Sequence, residues 1–262
     1  MALPSARPLQ LISFNQDGKF EVGEEAKATL QTISGPIGVV AVCGRARQGK
    51  SFILNQIASL GGVGDKGFVV APTHRPCTKG LWMWGAPIPA KTPDGRPYHI
   101  VLLDTEGIDA YDQTGQYSIQ IFSLAVLLSS MFIYNQMGGI DEAALDRLSL
   151  ITEMTNHIHV RAQSGEDSLE LGRFSPYFLW LLRDFYLDLS EDGHQITAKD
   201  YLETALRKVP AISEAAISKN KIRESIGNLF PTRDCHTMVR PMNEEKQLQE
   251  MSSLDPSEFR PQ

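Results

Sequence analysis

The amino-acid sequence predicts an α/β fold, with a mostly parallel central sheet and helices on both of its faces. Three observations carry this expectation. Residues Ile37-Gly38-Val39-Val40-Ala41-Val42 are almost wholly apolar, as in a central parallel strand covered on both sides. Other apolar runs, at 98–103, 131–135 and 177–182, alternate with stretches of helical spacing, the pattern of strands joined by helical crossovers. A chain of 262 residues, 42% of them hydrophobic, suffices for one large domain, or two small ones, with an ample core.

Taken in order, residues 1–7 read as a loose start and 9–14 as an edge strand. Asp17-Gly18 marks a turn before a short strand, Phe20-Glu21-Val22. Ala26, Leu30 and Ile33 lie on one face of a helix that Gly35-Pro36 ends. After the strand at 37–42 comes a second helix, closed by Gly61-Gly62-Val63-Gly64; 68–76 is aperiodic and reads as a functional loop. Leu81-Trp82-Met83-Trp84 is a strand, 92–96 a turn and 98–103 a second strand, so the two strands are expected to pair as a hairpin. A polar turn at 109–116 leads to a helix at 117–129 and a strand at 131–135. Met137-Gly138-Gly139 breaks the chain, and Asp141 caps a long helix reaching His159. A Gly-, Ser- and acid-rich surface loop at 162–173 precedes the strand at 177–182. Glu191-Asp192-Gly193 is a turn, followed by helices at 197–208 and 212–230, the second irregular. A short strand at 235–239 and a charged helix at 243–250 complete the order, with no internal repeat.

Composition narrows the functional classes. A net charge of −6 gives no direct sign of nucleic-acid binding, which needs a basic face. Cys43, Cys77 and Cys235 are odd in number and lack metal-ligand spacing, which suits a reducing compartment, cytoplasmic or nuclear. The longest apolar run, around 119–131, is broken by serines and too short to span a bilayer. Neither a signal pattern nor a prenylation box is present.

The chemistry concentrates at Gly44-Arg45-Ala46-Arg47-Gln48-Gly49-Lys50-Ser51, which fits G-x-x-x-x-G-K-[ST] between a strand and a helix. Glycines let successive N–H groups turn inward onto phosphate oxygens, and the helix N-terminus adds positive potential. Lys50 reaches the β- and γ-phosphates, and the Ser51 hydroxyl ligates Mg²⁺. The alternative, a plain glycine turn, does not account for the strand–loop–helix setting. Asp104 ends an apolar strand, where a carboxylate can hold a Mg²⁺-bound water, and Gly107 lets the backbone approach a γ-phosphate. Thr78 lies between the loop and Asp104, where a hydroxyl can complete the Mg²⁺ shell; it is otherwise a threonine starting a strand. Arg183-Asp184 closes the strand at 177–182. One carboxylate there accepts both N1–H and N2–H₂ of guanine, a pair that adenine lacks. A surface salt bridge is the competing reading of this dipeptide.

These residues, with Thr78-Lys79-Gly80-Leu81-Trp82-Met83-Trp84, Leu103-Asp104-Thr105-Glu106-Gly107, 122–130 and Leu182-Arg183-Asp184-Phe185, resemble the GTPase domain of the guanylate-binding proteins, a branch of the dynamin superfamily. The Pro-Cys-Thr-Lys-Gly segment at 76–80 and 134–141 most resemble its plant and algal group. The resemblance implies a GTPase domain over 8–255, with 256–262 as its end and the family's helical stalk absent. It implies GTP or GDP and Mg²⁺ as ligands, hydrolysis to GDP or onward to GMP, and a nucleotide-dependent homodimer formed face to face. Arg47 matches an arginine finger acting in cis; Lys50, Ser51, Thr78, Glu106 and Gly107 match the remaining catalytic positions. Arg45, Gln48, Gly49 and Phe52 join Arg47, Lys50 and Ser51 around the phosphates, and Arg183, Asp184, Arg240 and Pro241 around the base. Metal ligation falls to Ser51, Thr78 and Asp104. Residues 230–249 match the guanine cap, made acidic here by Glu244 and Glu245. Pro76 and Cys77 stand where the family's pattern has serine and histidine, so water positioning must use other groups. Two rival readings follow: a GTP-gated assembly module with very slow hydrolysis, and an ATP-hydrolysing phosphate-loop protein, against which Asp184 speaks.

Overall fold

The computed structural model describes residues 6–15, 19–60, 67–68, 80–105, 107, 115–162, 175–210, 213–249, 254 and 256–260. The chain divides into two compact units, 1–132 and 133–262. Both are built on parallel strand pairs flanked by helices, the α/β fold that the sequence predicts.

Unit 1 contains β1 (Pro8–Phe14), β2 (Phe20–Val22), α1 (Glu24–Thr32), β3 (Ile37–Gly44), α2 (Lys50–Leu60), β4 (Leu81–Trp84), β5 (Ile88–Lys91), β6 (Pro97–Thr105) and α3 (Gly115–Leu128). Its strands run in the order β3-β6-β4-β1-β2, with β5 also on β6. β3 and β6 are parallel from Ile37↔His99 to Val42↔Asp104, and α2 and α3 pack on this pair. The apolar run that predicted β3 ends in Ala41, Val42 and Cys43, all fully buried beside Leu102, Leu103 and Leu54. The hairpin expected between 81–84 and 98–103 is more elaborate. β4 does pair antiparallel with β6, through Leu81↔Thr105 to Met83↔Leu103, but the turn at 92–96 joins β6 to β5, paired from Ile88↔Ile100 to Lys91↔Pro97. Pro89 within β5 obscured this strand, because proline is tolerated only where a strand has a free N–H side. β6 is long enough to carry β5 on its first half and β4 on its last.

Strand β7 (Met131–Met137) crosses into unit 2, which continues with α4 (Glu142–Ala162), β8 (Tyr177–Arg183), β9 (Ser190–Glu191), β10 (His194–Gln195), α5 (Ala198–Ala205), α6 (Glu214–Leu229), β11 (Arg233–Thr237) and α7 (Glu245–Gln249). Here the order is β7-β8-β11, and β8 and β11 are parallel, Phe178↔Arg233 to Leu182↔Thr237. The core is aromatic: Trp180 meets Tyr134 at 5.4 Å and Phe178 at 5.9 Å, and Phe178 meets Phe230 at 4.5 Å. The buried Trp180 indole donates to Gln136 Oε1 (3.1 Å), whose amide donates to Gly139 O (2.6 Å), so these two buried polar side chains are paired. Asp141 caps α4 as expected, accepting from Ala144 N at 2.7 Å. A reciprocal Thr197–Asp200 box starts α5. The turn at 191–193 closes the β9–β10 hairpin with Asp192 and Gly193 both at positive φ, 51° and 79°, as a type I′ turn requires.

Two expectations for unit 2 are corrected. α6 is a single continuous helix, not an irregular one. Its buried Arg223 donates to Glu142 Oε1 (2.6 Å) and Ala205 O (3.1 Å), and Asn220 brackets the Val209 peptide at 2.9 and 2.8 Å. The last strand begins two residues earlier than the apolar run suggested, since Arg233 is held by a bidentate pair with Glu203 at 2.8 and 2.7 Å. The loops expected at 69–76, 109–114 and 163–173 and the glycines at 61–64 lie outside the described residues. Among the described residues, no helix is long and apolar enough to cross a membrane.

Candidate functional site

In unit 1 the parallel register places Val42 directly beside Asp104, so the chain leaving β3 enters its loop close to the carboxylate one residue before the end of β6. The loop is tightly wound. Arg47 and Gly49 adopt left-handed φ values of 68° and 70°, and α2 begins at Lys50, with Ile53 N already donating to Gly49 O at 3.1 Å. A non-glycine residue in this region is strained by about 1–2 kcal/mol and is concentrated at functional sites. Left-handed residues in a loop that runs into a helix N-terminus can turn successive backbone N–H groups inward, the arrangement that anion-binding loops use.

Four side chains stand at this loop: Lys50, Ser51, Asp104 and Thr105. Lys50 is only 7% exposed and donates to Arg45 O at 3.1 Å. Ser51 Oγ donates to Asp104 Oδ2 at 2.6 Å, and Asp104 is 1% exposed. Thr105 Oγ1 donates to Val42 O (3.1 Å), tying the ends of the two strands together. Burial pushes the thiol of Cys43, at the loop's entrance, up to about 12, so it is a neutral packing group and no nucleophile. Arg45 and Arg47 are exposed at the loop's rim; Gln48 and Phe52 are half-buried behind it.

Gly107 closes over the loop. A Cβ built there would stand 2.2 Å from Ala46 Cα and 2.4 Å from Ala46 N. Gly107→Ala is therefore expected to force the two backbones apart and to lower unfolding free energy by about 1–3 kcal/mol, as overpacking does. Urea denaturation measures it; an unchanged midpoint would mean that the contact is absent from the folded protein. Thr78 and Glu106 lie outside the described residues, as do Pro76 and Cys77.

Sequence reading did not single out Asn55. It sits one turn beyond Ser51 on α2 and holds the Phe68 peptide from both sides, accepting from its N–H at 2.6 Å and donating to its carbonyl at 3.0 Å. Nothing in the local sequence marks an asparagine on a helix face as such a clamp.

In unit 2, Asp184 follows the last residue of β8 and is itself left-handed, φ 52°. Gly138 N donates to Arg183 O (2.7 Å), Phe185 N to Met238 O (3.0 Å) and Met238 N to Leu182 O (2.8 Å). The strand exit is thus stitched to the segment that carries Arg240 and Pro241. Asp184 Oδ1 is buried and has no hydrogen-bond partner among the described residues. Burial lowers the Arg183 guanidinium's affinity for its proton and the neighbouring Asp184 charge opposes that, so it stays cationic at neutral pH. Arg240 Nη2 donates to Glu245 Oε1 at 2.6 Å, and Pro241 is buried with its carbonyl accepting from Arg260 N (2.9 Å).

A parallel strand pair, a glycine loop running into a helix and a serine bonded to the acidic end of the neighbouring strand define the phosphate-loop class of α/β proteins. The chain belongs to the guanylate-binding protein family: the family described as "Guanylate-binding protein, N-terminal domain" matches residues 17–262. It is 41% identical over 240 residues to Guanylate-binding protein 7 of Homo sapiens, covering 89% of this chain and 36% of that protein. It is 40% identical over 261 residues to Guanylate-binding protein 1 of Chlorocebus aethiops, covering 97% and 42%, and 38% identical over 267 residues to Guanylate-binding protein 6 of Mus musculus, covering 100% and 42%. The chain thus spans about two fifths of the length of these relatives.

Proposed function

We propose that residues 8–255 are a magnesium-dependent GTPase domain that binds GTP, hydrolyses it to GDP or onward to GMP, and pairs with a second copy through its nucleotide face. The observation that carries the reading is the 2.6 Å bond between Ser51 Oγ and the buried Asp104 carboxylate at the mouth of the glycine loop. A carboxylate this deeply buried needs a reason to be there. A hydroxyl and a carboxylate oxygen together are the hard oxygen donors that Mg²⁺ takes when phosphates and waters fill its remaining positions. Ser51 and Asp104, with Thr78, would hold the ion, which when bound neutralises charge on the β- and γ-phosphate oxygens.

The rest of the work falls to the chain's own groups. Loop N–H groups from Arg45 to Phe52 receive the phosphates. Lys50 exchanges its bond to Arg45 O for phosphate oxygens. Arg47, on the exposed rim, offsets charge developing on the transferring phosphoryl when a partner domain aims it inward. Gly107 and the adjacent Glu106 border the γ-phosphate. Asp184, flanked by Arg183, Arg240 and Pro241, reads guanine.

Asp184→Asn tests the base assignment. An amide places an N–H₂ donor against a guanine donor, so the preference for GTP over ATP should fall by about 10²-fold, as at other sites where a buried polar contact is broken. Competition binding reads it. A mutant that discriminates against ATP as well as wild type would remove Asp184 from the site, whereas a wild type with no preference for GTP would reinstate the ATP-hydrolysing alternative.

A further inference from the structure

We propose that Glu245 is a positioning residue for guanine recognition: by holding the Arg240 guanidinium it keeps that cation from closing on Asp184, leaving the carboxylate open to the base. This rests on the reading of Asp184 as the guanine acceptor.

Two complementary atoms lie unused in this part of unit 2. Asp184 Oδ1 and Arg240 Nε are both buried, and neither has a hydrogen-bond partner among the described residues. The segments that bear them are bonded to each other, through Phe185 N to Met238 O (3.0 Å) and Met238 N to Leu182 O (2.8 Å). The two charges also act on each other: Arg240 is held more firmly protonated first by its bond to Glu245 and also by the Asp184 charge. A guanidinium near a carboxylate ordinarily forms a two-pronged pair with it. Here it does not, because Nη2 is engaged by Glu245 Oε1 at 2.6 Å.

Glu245 opens α7, five residues beyond Arg240, and the turn between them is fixed from outside. Arg260 N donates to Pro241 O (2.9 Å) and Arg260 Nη1 to Asn243 Oδ1 (3.3 Å). An ion pair as exposed as Arg240–Glu245 adds little to stability. Its consequence is the direction in which the guanidinium points. With the Glu245 charge removed, the remaining carboxylate in reach is Asp184. A guanidinium seated there fills the acceptor positions that N1–H and N2–H₂ of guanine require, and the base must displace it.

The test is equilibrium binding of GDP and of ADP to the full chain, by competition with a fluorescent nucleotide, read as the GDP:ADP affinity ratio so that the active fraction cancels. Glu245→Gln should lower this ratio about tenfold, within the range set by one specific contact. Glu245→Asp, which keeps the charge, should hold it within about threefold. In an Asp184→Asn background, Glu245→Gln should change nothing further, since no carboxylate remains to be captured. An unchanged ratio in Glu245→Gln, or an undiminished effect in the Asp184→Asn background, would overturn the proposal. Failure of the underlying reading has its own signature: Asp184→Asn alone would leave the ratio at its wild-type value.

Discussion

Lys50→Ala is expected to abolish GTP binding at concentrations that saturate the wild type, a loss of at least about 10³-fold in affinity. Lys50 is 7% exposed, is the first residue of α2, and donates to Arg45 O at 3.1 Å. It is thus already largely desolvated and already aimed into the loop, so little reorganisation precedes its contact with phosphate. Hydrogen bonds to charged partners are worth about 1.5–3 kcal/mol each, and an ammonium bridging two phosphoryl oxygens makes two. Their loss corresponds to about 10³-fold or more. The backbone N–H groups and the helix end remain in the mutant, which is why the fold should persist while binding does not. Titration with a fluorescent GTP analogue, alongside a thermal melt, measures both. Near-wild-type affinity in a folded mutant would remove the phosphate-loop assignment from this chain.

The second large effect concerns turnover. Arg47→Ala should leave GTP affinity within a few-fold of wild type and reduce the single-turnover hydrolysis rate by about 10³-fold, the lower end of what an arginine supplied to a transferring phosphoryl group is worth. Arg47 is exposed with φ 68°, while on the proposed reading the ground-state phosphate contacts fall to backbone groups and Lys50. Alanine also sits uncomfortably at that φ, so Arg47→Gly is the control: it relieves the strain, lacks the guanidinium, and should be as slow. If a partner domain aims the arginine, wild-type specific activity rises with protein concentration, and GDP with aluminium fluoride drives dimerisation visible by light scattering. Turnover that is independent of concentration, with both variants as fast as wild type, would favour the GTP-gated assembly module with very slow hydrolysis.

Much of the phosphate site is legible in the sequence because it is local. The glycines, Lys50 and Ser51 fall within eight consecutive residues, and their meaning depends only on a strand before and a helix after, both declared by hydrophobic pattern. The strand-end position of Asp104 follows from the four apolar residues before it. Short-range preferences of this kind, periodicity, caps at Asp141 and Thr197 and the Asp192-Gly193 turn, act between neighbours and need no knowledge of the rest of the chain.

Other features required the chain to close on itself. That Ser51 bonds Asp104 and that Gly107 presses on Ala46 follow from the β3–β6 register, which sets two distant segments side by side, and that Asn55 clasps Phe68 follows from the chain folding back onto α2. β5 escaped pattern reading because a proline strand exists only when a long neighbour such as β6 offers it an edge. β11 starts at Arg233 because Glu203, far away in sequence, pairs with it. The sequence marks Glu245 only as making its segment acidic; its proposed role comes from the bond to Arg240 and from the backbone bonds that bring Met238 against Phe185. The sequence by itself determined which residue types stand at the loop and at the strand ends, and so which groups the proposed nucleotide site draws on, since those are properties of residue type and local geometry. Which groups stand within reach of one another, and so which charges compete, was decided by the tertiary structure, because electrostatic and packing contacts act through space and not along the chain.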